Sequence, residues 1–306
     1  MTKILITPRS LKTPDHPALA PLREAGYEIV IPAPGVTPDP ETLKKVLPGC
    51  AGWLAGVEKI TADVIQAASG LRVISRNGTG VDNVDLEAAA KRGVEVARTP
   101  GANARGVAEL AIGLILSIAR NIPKTDASIA SGGWERKQGI ELENRTLGVV
   151  GCGQIGKLVV RLGKALGMRA IGYDLYPDKA FEAEGFSYVE PDGIAKQADV
   201  VSLHIPGGDK PFVDAAFLEQ AKPGVIVVNT SRAAAVDDNA MLAALDSGKA
   251  FGYGVDVFDP EPPGKTALTT HPKAVCTSHV GGFTAESVLR AARQAAENIV
   301  LALSRV

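Results

Sequence analysis

Three polar side chains of different chemistry follow apolar, strand-like segments in the second half of the sequence. Arg232 comes after V-I-V-V-N-T-S, Glu261 after G-V-D-V-F-D-P and His279 after V-C-T-S. A planar guanidinium can bind a carboxylate or polarise a carbonyl. An imidazole can exchange a hydroxyl proton near neutral pH, and a carboxylate on its far nitrogen fixes the tautomer and favours the protonated ring. The set suits proton transfer on a bound hydroxy or keto acid.

Each of these residues, taken alone, also has an ordinary explanation. Arg232 could cap a helix or lie on the surface. Glu261 could be a solvated loop acid, and His279 could belong to a turn. The carboxyl ends of the strands in an open parallel sheet face the ligand crevice. We therefore expect the three side chains to converge at one such edge if they act together.

A glycine-rich segment predicts the element that would place a cofactor beside them. An apolar strand, the pattern G-C-G-Q-I-G, a helical pattern and a second strand follow one another. Gly151 permits a tight turn, Gly153 lets a pyrophosphate approach the backbone, and Gly156 lets helix and sheet pack closely. The helix N-terminus offers N–H groups and partial positive charge to phosphates. A glycine-rich turn without a ligand is the alternative.

Asp174 ends the second strand of this unit, about 18 residues after the last glycine, where a carboxylate can bond the ribose hydroxyls. It would repel a 2′-phosphate, and no arginine follows closely, which favours NAD over NADP.

A methyltransferase also uses such a loop and acid. That interpretation gives no reason for Arg232, Glu261 and His279 together.

Length and composition place further bounds on the chain. Its 306 residues predict two domains. With 45% hydrophobic and 22% charged residues and a formal net charge of −1, we expect no nucleic-acid or membrane partner. No sequence pattern indicates a metal site. Cys50, Cys152 and Cys276 are scattered, which favours reduced thiols and a cytoplasmic location.

Alternating strand and helix patterns predict an α/β fold. We expect a Rossmann-type dinucleotide-binding domain over residues 100–283 and a smaller flavodoxin-like substrate domain over residues 1–99. A long apolar helix, Ala102–Asn121, ended by Pro123, should be buried, within the chain or against another subunit. An amphipathic segment spans Thr284–Ser304. The cleft between the domains is the expected site.

The loop S-R-N-G-T-G-V-D-N-V-D is the other notable segment of the first domain. Gly78 and Gly80 would let backbone N–H groups face an anion. An ordinary strand-to-helix turn, with Asp82 or Asp85 as the helix cap, is the alternative. His204 ends a strand and could face the cofactor or be a structural histidine.

Over essentially its full length the sequence resembles the D-isomer-specific 2-hydroxyacid dehydrogenases. The resemblance rests on R-N-G-T-G-V-D-N-V-D, T-L-G-V-V-G-C-G-Q-I-G-K, N-T-S-R, G-V-D-V-F-D-P-E-P and S-H-V-G-G. The nearest group is the catalytic part of the D-3-phosphoglycerate dehydrogenases, in a short form without the regulatory domain.

The resemblance implies that Arg232, Glu261 and His279 are catalytic. It implies substrate contacts from Arg76, Asn77 and Gly78 as well as from Arg232 and His279. In addition to the three loop glycines, it implies cofactor contacts from Thr79, Gln154, Ile155, Asp174, Thr230, Ser231, Asp256, Gly281 and Gly282. It also implies a homodimer built on the region after Thr99, and a C-terminal helix, residues 284–306, that returns to the first domain.

Two departures from the family pattern bear on this interpretation. Ala233 stands where the family usually has glycine after the arginine. The phosphoglycerate enzymes commonly carry an arginine just before I-T-A-D-V-I, whereas this chain has L-A-G-V-E-K there, including Glu58. A carboxylate disfavours a bound phosphate, although Arg76 and Lys59 could compensate.

The expected activity is hydride transfer between NAD and a small 2-hydroxy or 2-keto acid, with a D-3-phosphoglycerate-like substrate. A glyoxylate/hydroxypyruvate reductase or another 2-hydroxyacid dehydrogenase is the alternative of the same class. An NAD(H)-sensing, corepressor-like binding protein is the alternative from another class.

Overall fold

The computed structural model describes residues 1–182 and 186–305. The chain forms two compact units. Unit 1 comprises Met1–Asn103 and Gly282–Val306, and unit 2 comprises Ala104–Gly281. Val306, which the expected last helix included, lies outside the described residues.

Strands and helices alternate along both units. Unit 1 contains β1 (Lys3–Ile6), α1 (Ala20–Glu24), β2 (Glu28–Val30), α2 (Pro40–Val46), β3 (Cys50–Ala55), α3 (Ala62–Ala67), β4 (Val73–Arg76), α4 (Leu86–Lys91) and β5 (Glu95–Ala97). Unit 2 contains α5 (Ala104–Ala119), α6 (Ile122–Ala130), β6 (Thr146–Val150), α7 (Gln154–Ala165), β7 (Arg169–Tyr173), β8 (Phe186–Tyr188), α8 (Pro191–Gln197), β9 (Val200–Leu203), α9 (Ala215–Gln220), β10 (Val225–Asn229), α10 (Asp238–Ser247), β11 (Ala250–Val255) and β12 (Ala274–Cys276). The last helix, α11 (Ala285–Ser304), belongs to unit 1. Pro17–Leu19 and Ala233–Ala235 form single 3₁₀ turns.

The sheet of unit 1 is parallel, with strand order β2-β1-β3-β4-β5. This is the flavodoxin-like order, and it confirms the expected fold of the smaller domain. All four residues of β4 are buried. A strand covered on both faces is buried along its whole length, so β4 shows no alternation of buried and exposed residues.

Helix α11 covers one face of the unit 1 sheet through a surface of small residues. Ala292, Ala295 and Ile299 are fully buried and pack in one cluster with Ile4 of β1. A Cβ built on Gly52 of β3 would lie 2.9 Å from Cγ2 of Ile299. The close approach of helix and sheet therefore requires glycine at position 52.

The sheet of unit 2 is also parallel, with strand order β12-β11-β10-β9-β6-β7-β8. The chain runs outward from β6 in one direction and then from β9 in the other, as in a Rossmann-type sheet. Helices α5 and α7 pack together over one face. A second apolar cluster, to which α8, α9 and α10 contribute, covers the other face. The switch in strand order between β6 and β9 is where such folds bind ligands.

The long apolar helix ends earlier than the sequence predicted, and Pro123 has a different role. Helix α5 stops at Ala119, and Asn121 adopts a left-handed backbone with φ 54°. Pro123 then lies in the first turn of α6, where its missing N–H costs nothing. The prediction that Pro123 simply ends one helix was wrong, because the same residue also begins the next.

Within residues 1–182 and 186–305, no single helix is long and apolar enough to cross a membrane. Helices α5 and α6 together have the length and apolar composition of a span, but they are bent by 66° and most of α5 is buried.

Candidate active site

The glycine loop after β6 has the tight geometry that its sequence predicted. Gly151 has φ 87°, and a Cβ there would lie 2.5 Å from the carbonyl oxygen of His204. A Cβ on Gly156 would collide with the carbonyl oxygen of Gly151. Only glycine satisfies both positions, because one needs a left-handed backbone and the other a close approach of α7 to the loop.

The start of α7 fits the phosphates of a dinucleotide. Gly153 is the N-cap residue, and a Cβ built on it meets nothing within 4 Å. Gln154 and Ile155 form the first turn, and Gln154 is exposed. An exposed helix N-terminus with open space before it can accept an anion through its N–H groups and dipole.

Asp174 lies beside this loop, at the end of β7. Its Oδ2 accepts a hydrogen bond from the backbone N–H of Cys152 at 2.7 Å, and its Oδ1 accepts one from Tyr176 at 2.8 Å. A carboxylate has further lone pairs that can accept from the hydroxyls of a ribose. The glycine loop and Asp174 together therefore fit both the pyrophosphate and the ribose of NAD.

The turn that carries Arg232 is held by the amide of Asn229. Its Oδ1 accepts from the backbone N–H of Ser231 at 3.0 Å and from the Ser231 hydroxyl at 2.8 Å, and its Nδ2 donates to the carbonyl of Arg232 at 2.8 Å. Nη1 of Arg232 donates to the Ser231 carbonyl at 2.7 Å. The sequence placed Asn229 in the strand but indicated no role for it; in the structure it organises the turn.

Glu261 and His279 are in direct contact. Nδ1 of His279 lies 2.8 Å from Oε2 and 3.0 Å from Oε1 of Glu261. The backbone N–H of Phe258 donates to the same Oε1 at 3.0 Å. The two side chains are 54% and 39% exposed, so the ring is reachable while its Nδ1 edge is occupied. Such a pair presents Nε2 outward for proton exchange.

These residues follow three neighbouring strands of one sheet. Asn229 of β10 pairs with Val255 of β11, which pairs with Cys276 of β12. Arg232, Glu261 and His279 lie in the segments that leave the carboxyl ends of these strands. The structure thus brings Glu261 and His279 together, and it places Arg232 on the turn after the adjoining strand.

The remaining predicted cofactor residues of unit 2 surround the same edge. Thr230, Ser231 and Asp256 are buried. Asp256 accepts from the backbone N–H of Gly281 at 2.9 Å. Gly282 belongs to unit 1, and a Cβ there would lie 2.8 Å from Nδ2 of Asn103, so that position has little room for a side chain.

His204 is held as a neutral histidine. Its Nε2 lies 2.8 Å from the Ser202 hydroxyl, and its Nδ1 lies 3.4 Å from the Thr230 hydroxyl. Burial lowers the pKa of His204 to about 3, because the charged ring would lose its hydration. Both ring nitrogens of this histidine therefore face hydroxyls. Its backbone still contacts the glycine loop.

In unit 1 the predicted substrate loop begins at Arg76, at the end of β4. Its Nε donates to the carbonyl of Gly80 at 3.1 Å, and its Nη1 donates to the carbonyl of Gly56. The backbone N–H of Thr99 donates to the Gly78 carbonyl at 3.0 Å. Much of the Arg76 guanidinium therefore holds the loop itself.

Three further loop residues have distinct positions. Asn77 carries a buried Oδ1 with no hydrogen-bond partner among the described residues. Thr79 is exposed, and its hydroxyl lies 3.5 Å from Oδ1 of Asn103. Asp85, rather than Asp82, caps α4, since its Oδ1 accepts from the backbone N–H of Ala88 at 2.9 Å.

Glu58 is a buried carboxylate on the turn after β3, only 4% exposed. Its Oε1 accepts from the hydroxyl of Thr7 and from the backbone N–H of Gly56 at 2.9 Å. Its Oε2 has no partner in the described part of the chain. Arg76 holds the Gly56 carbonyl, so the acid contacts the same residue that anchors the predicted substrate loop. Lys59, which the sequence offered as compensation, is exposed.

The cysteines are free and the described residues include no candidate metal site. Cys50 and Cys152 are buried, and Cys276 is exposed. Burial raises the pKa of the Cys152 thiol to about 12, so this residue of the glycine loop is an unreactive packing group. Across residues 1–182 and 186–305, no group of three or more His, Cys, Asp or Glu side chains could hold a metal ion.

Comparison with known proteins extends these observations. Residues 112–281 match the family described as D-isomer specific 2-hydroxyacid dehydrogenase, NAD binding domain. The chain is 40% identical to the D-3-phosphoglycerate dehydrogenase of Methanocaldococcus jannaschii over 98% of its own length and 57% of that protein's. It is 39% identical to the hydroxypyruvate reductase of Thermotoga maritima over 79% and 80% of the two chains. It spans about half the length of the mammalian D-3-phosphoglycerate dehydrogenases that it matches.

Solved structures agree with the sequence comparison. The TT0316 protein of Thermus thermophilus superposes with a TM-score of 0.89 at 35% identity and covers 99% of this chain and 97% of its own. D-lactate dehydrogenase from Escherichia coli, in its apo form, superposes with a TM-score of 0.84 at 28% identity over 98% and 96% of the chains. The resemblance carried by the glycine loop and by the N-T-S-R and S-H-V-G-G segments is thereby confirmed. The chain belongs to the D-isomer specific 2-hydroxyacid dehydrogenase family.

Proposed function

We propose that this protein is an NAD-dependent oxidoreductase that interconverts a small 2-hydroxy acid and the corresponding 2-keto acid. The observation that carries the proposal is the contact between Nδ1 of His279 and the carboxylate of Glu261, on the sheet that also bears the glycine loop. When bound, NAD supplies the hydride acceptor for the oxidative direction. The residues of the chain then have to bind the acid, orient it and move one proton.

The proposed proton carrier is Nε2 of His279. Because Nδ1 faces Glu261, Nε2 is the nitrogen left to meet the substrate. In oxidation it takes the hydroxyl proton as C2 loses hydride, and in reduction it returns that proton to the former carbonyl oxygen. Glu261 fixes the tautomer and the orientation of the ring.

Arg232 is proposed to bind the substrate carboxylate and polarise the reacting oxygen, since its planar guanidinium offers several donors in one plane. We also propose substrate contacts from Arg76, Asn77 and Gly78. The proposed cofactor contacts are Thr79, Gly151, Gly153, Gln154, Ile155, Gly156, Asp174, Thr230, Ser231, Gly281 and Gly282. Asp256 belongs to this set by family resemblance.

We propose an unphosphorylated 2-hydroxy acid as the substrate. The support is Glu58, whose buried carboxylate lies beside the anchor of the substrate loop. A phosphate dianion brought near a buried negative charge is repelled, and the repulsion grows as the local dielectric falls. A relative named hydroxypyruvate reductase is consistent with this choice. A D-3-phosphoglycerate-like substrate is the second candidate, supported by the names of other relatives.

A panel of 2-keto acids tests both levels of the proposal. The purified protein is mixed with NADH and with hydroxypyruvate, glyoxylate, pyruvate or 3-phosphohydroxypyruvate, and NADH oxidation is followed by absorbance. We expect the highest kcat/KM with an unphosphorylated acid. A preference for 3-phosphohydroxypyruvate would refute the substrate proposal but keep the activity. Tight NADH binding without turnover of any acid would favour a corepressor-like binding protein instead.

We further propose a homodimer through the region after Thr99. Three apolar side chains in and just after α6 support it: Ile122, Ile129 and Trp134 are 50%, 55% and 80% exposed. Large exposed apolar side chains grouped on one segment commonly mark an interface. Light scattering should give twice the monomer mass, and Ile129→Glu should reduce the measured mass.

The three free thiols support our proposal of a reducing, cytoplasmic location.

A further inference from the structure

The two carboxylate oxygens of Glu58 have different environments. Oε1 accepts hydrogen bonds from the Thr7 hydroxyl and from the backbone N–H of Gly56. Oε2 is equally buried but has no hydrogen-bond partner among residues 1–182 and 186–305. Nearly all buried polar atoms in proteins have a partner, and an ionised oxygen has the greatest need of one. The unpaired oxygen therefore indicates a hydrogen-bond donor that comes from outside the described residues.

Thr7 determines which of the two oxygens is left unpaired. Its hydroxyl, directly after β1, accepts from Nε1 of Trp53 at 2.9 Å and donates to Oε1 of Glu58. Trp53 is fully buried, so its indole cannot turn without disturbing the packed core. The Trp53–Thr7 pair thus holds the carboxylate with Oε1 engaged and Oε2 available to another donor.

The turn after β3 is shaped around Oε2. A Cβ built on Gly56 would lie 2.7 Å from this oxygen and 3.1 Å from Cα of Pro8. Any side chain at position 56 would therefore press on the carboxylate. The neighbouring Val57 is 64% exposed, so the turn lies at the protein surface and the carboxylate is buried just beneath it.

Glu58 lies at the edge of the sheet from which the proposed substrate loop departs. Strands β3 and β4 are parallel neighbours, so the turn after β3 and the loop after β4 leave the same edge. The backbone N–H of Asn77 donates to the Ala55 carbonyl at 2.8 Å, and Nη1 of Arg76 donates to the Gly56 carbonyl. An acid held by this loop therefore lies beside the turn that carries Glu58.

We propose that Oε2 of Glu58 accepts a hydrogen bond from a hydroxyl group on C3 of the substrate. The substrate is then a 2-keto or 2-hydroxy acid with a C3 hydroxyl, rather than one that ends in a methyl group. The hydroxyl forms a charge-assisted hydrogen bond, whereas a methyl group leaves the buried oxygen unpaired. This inference rests on the proposed function, since it names the substituent that the proposed substrate carries.

Hydroxypyruvate and pyruvate differ only in this hydroxyl, so the ratio of their kcat/KM values with NADH measures its contribution. We expect a ratio of at least about ten in the unaltered protein, because a site built for a hydroxyl rejects the analogue that lacks it. A ratio near one would overturn the proposal.

Glu58→Met tests whether the carboxylate is responsible for this ratio. Methionine has a similar length but no strong acceptor, and the backbone N–H of Gly56 can still donate to the Thr7 hydroxyl. We expect the ratio to fall by at least about fivefold, mainly through a lower kcat/KM for hydroxypyruvate. An unchanged ratio in this variant would refute the role of Glu58.

A matched pair at position 7 keeps the test open if Glu58→Met does not fold. Thr7→Ser retains the hydroxyl that donates to Oε1 and should keep the ratio of the unaltered protein. Thr7→Val has nearly the same shape but releases Oε1, so the carboxylate is no longer held and the ratio should fall. Equal ratios for the two variants would contradict the proposed orientation of Glu58.

Trp53 provides a readout that does not depend on turnover. The chain has two tryptophans, and Trp134→Phe leaves the indole of Trp53 as the only one. Because Nε1 of Trp53 is linked to Glu58 through the Thr7 hydroxyl, a ligand on Oε2 should change the indole emission. The variant is saturated with NADH, with which a hydroxy acid cannot react, and is titrated with D-glycerate or D-lactate.

We expect D-glycerate to bind at least about fivefold more tightly than D-lactate in this titration. Equal binding of the two acids, or binding of neither, would overturn the proposal. A preference for D-glycerate without turnover of any 2-keto acid would count against the proposed function alone. Turnover without discrimination between hydroxypyruvate and pyruvate would count against the C3 hydroxyl alone, so the two failures are distinguishable.

Discussion

The backbone N–H of Cys152 donates a hydrogen bond to Oδ2 of Asp174 at 2.7 Å. The acid at the end of β7 is therefore tied to the glycine loop by the chain itself. Because Oδ1 also accepts from Tyr176, the carboxylate is oriented before any nucleotide arrives. Preorganisation of this kind reduces the entropy lost when a ligand binds.

Replacing Asp174 with alanine should weaken NADH binding and relax discrimination against NADPH. A hydrogen bond to a charged group contributes about 1.5–3 kcal/mol, so the Kd for NADH should rise by roughly tenfold or more. Fluorescence titrations with both nucleotides measure the ratio. Asp178→Ala, which removes an exposed acid paired with Lys157, is the control. An unchanged NADH to NADPH ratio in Asp174→Ala would contradict the ribose role.

Replacing His279 with alanine should lower kcat by at least about a hundredfold, because a positioned acid–base group contributes roughly that much. NADH should still bind, since the glycine loop and Asp174 are untouched. Steady-state kinetics and a fluorescence titration measure the two quantities. His271→Asn, at a histidine that pairs with Asp246, should retain turnover. Near-normal kcat in His279→Ala would refute the proposal that His279 carries the proton.

Glu261→Gln should give an intermediate loss of kcat. Glutamine can still accept from Nδ1 of His279, but it carries no charge and can present its NH₂ group instead. We expect a decrease of at least about tenfold that remains smaller than the loss in His279→Ala. Equal kcat values for Glu261→Gln and the unaltered protein would show that the contact between Glu261 and His279 does not contribute to turnover.

Glu58→Gln should shift the substrate preference toward phosphorylated acids. The substitution removes the buried charge but keeps the shape and an acceptor for the backbone N–H of Gly56. We expect kcat/KM for 3-phosphohydroxypyruvate to rise relative to hydroxypyruvate by roughly tenfold, equivalent to about 1.4 kcal/mol. Glu87→Gln, at an exposed acid on α4 of the same unit, is the matched control. The same substrate preference in both variants would show that the charge of Glu58 does not set that preference.

His204 should make the stability of the protein fall in mild acid. Its pKa in the folded chain is about 3, whereas in the unfolded chain it is near the ordinary 6.5. The unfolded state therefore binds a proton that the folded state excludes between these values. The contribution of the neutral ring is complete above about pH 6.5 and is lost as the pH falls toward 3.

Urea unfolding checks this pH dependence. The free energy of unfolding should drop less between about pH 7 and pH 5 in His204→Gln than in the unaltered protein. Glutamine can still bond the Ser202 hydroxyl, but it does not titrate. Parallel slopes for the two proteins would show that His204 is not excluded from protonation in the folded state.

Short-range patterns in the sequence predicted the parts of the site that depend on local structure. The turn at Gly151, the helix after Gly153 and the acid at the end of β7 are all properties of one continuous segment. The topology rule for parallel sheets also placed Glu261 and His279 at one edge, although they are distant in sequence. The structure shows their direct contact, with Nδ1 of His279 2.8 Å from Oε2 of Glu261.

Long-range hydrogen bonds were beyond the sequence. The carboxylate of Asp256 and the amide of Asn229 each organise a turn by side-chain contacts, which depend on strand register and depth. The left-handed backbone of His279 could not be predicted from the sequence, because few histidines adopt this conformation. The three-residue strand β8, Phe186–Tyr188, is too short to show a period in the sequence.

The close packing of α11 on β3 has a consequence for how the protein forms. Unit 2 is continuous in sequence, whereas the sheet of unit 1 is covered by residues made roughly 250 positions later, as the buried pair Gly52 and Ile299 illustrates. During synthesis, unit 2 can acquire its core while unit 1 still exposes one apolar face. The domain that begins first along the polypeptide is therefore completed last.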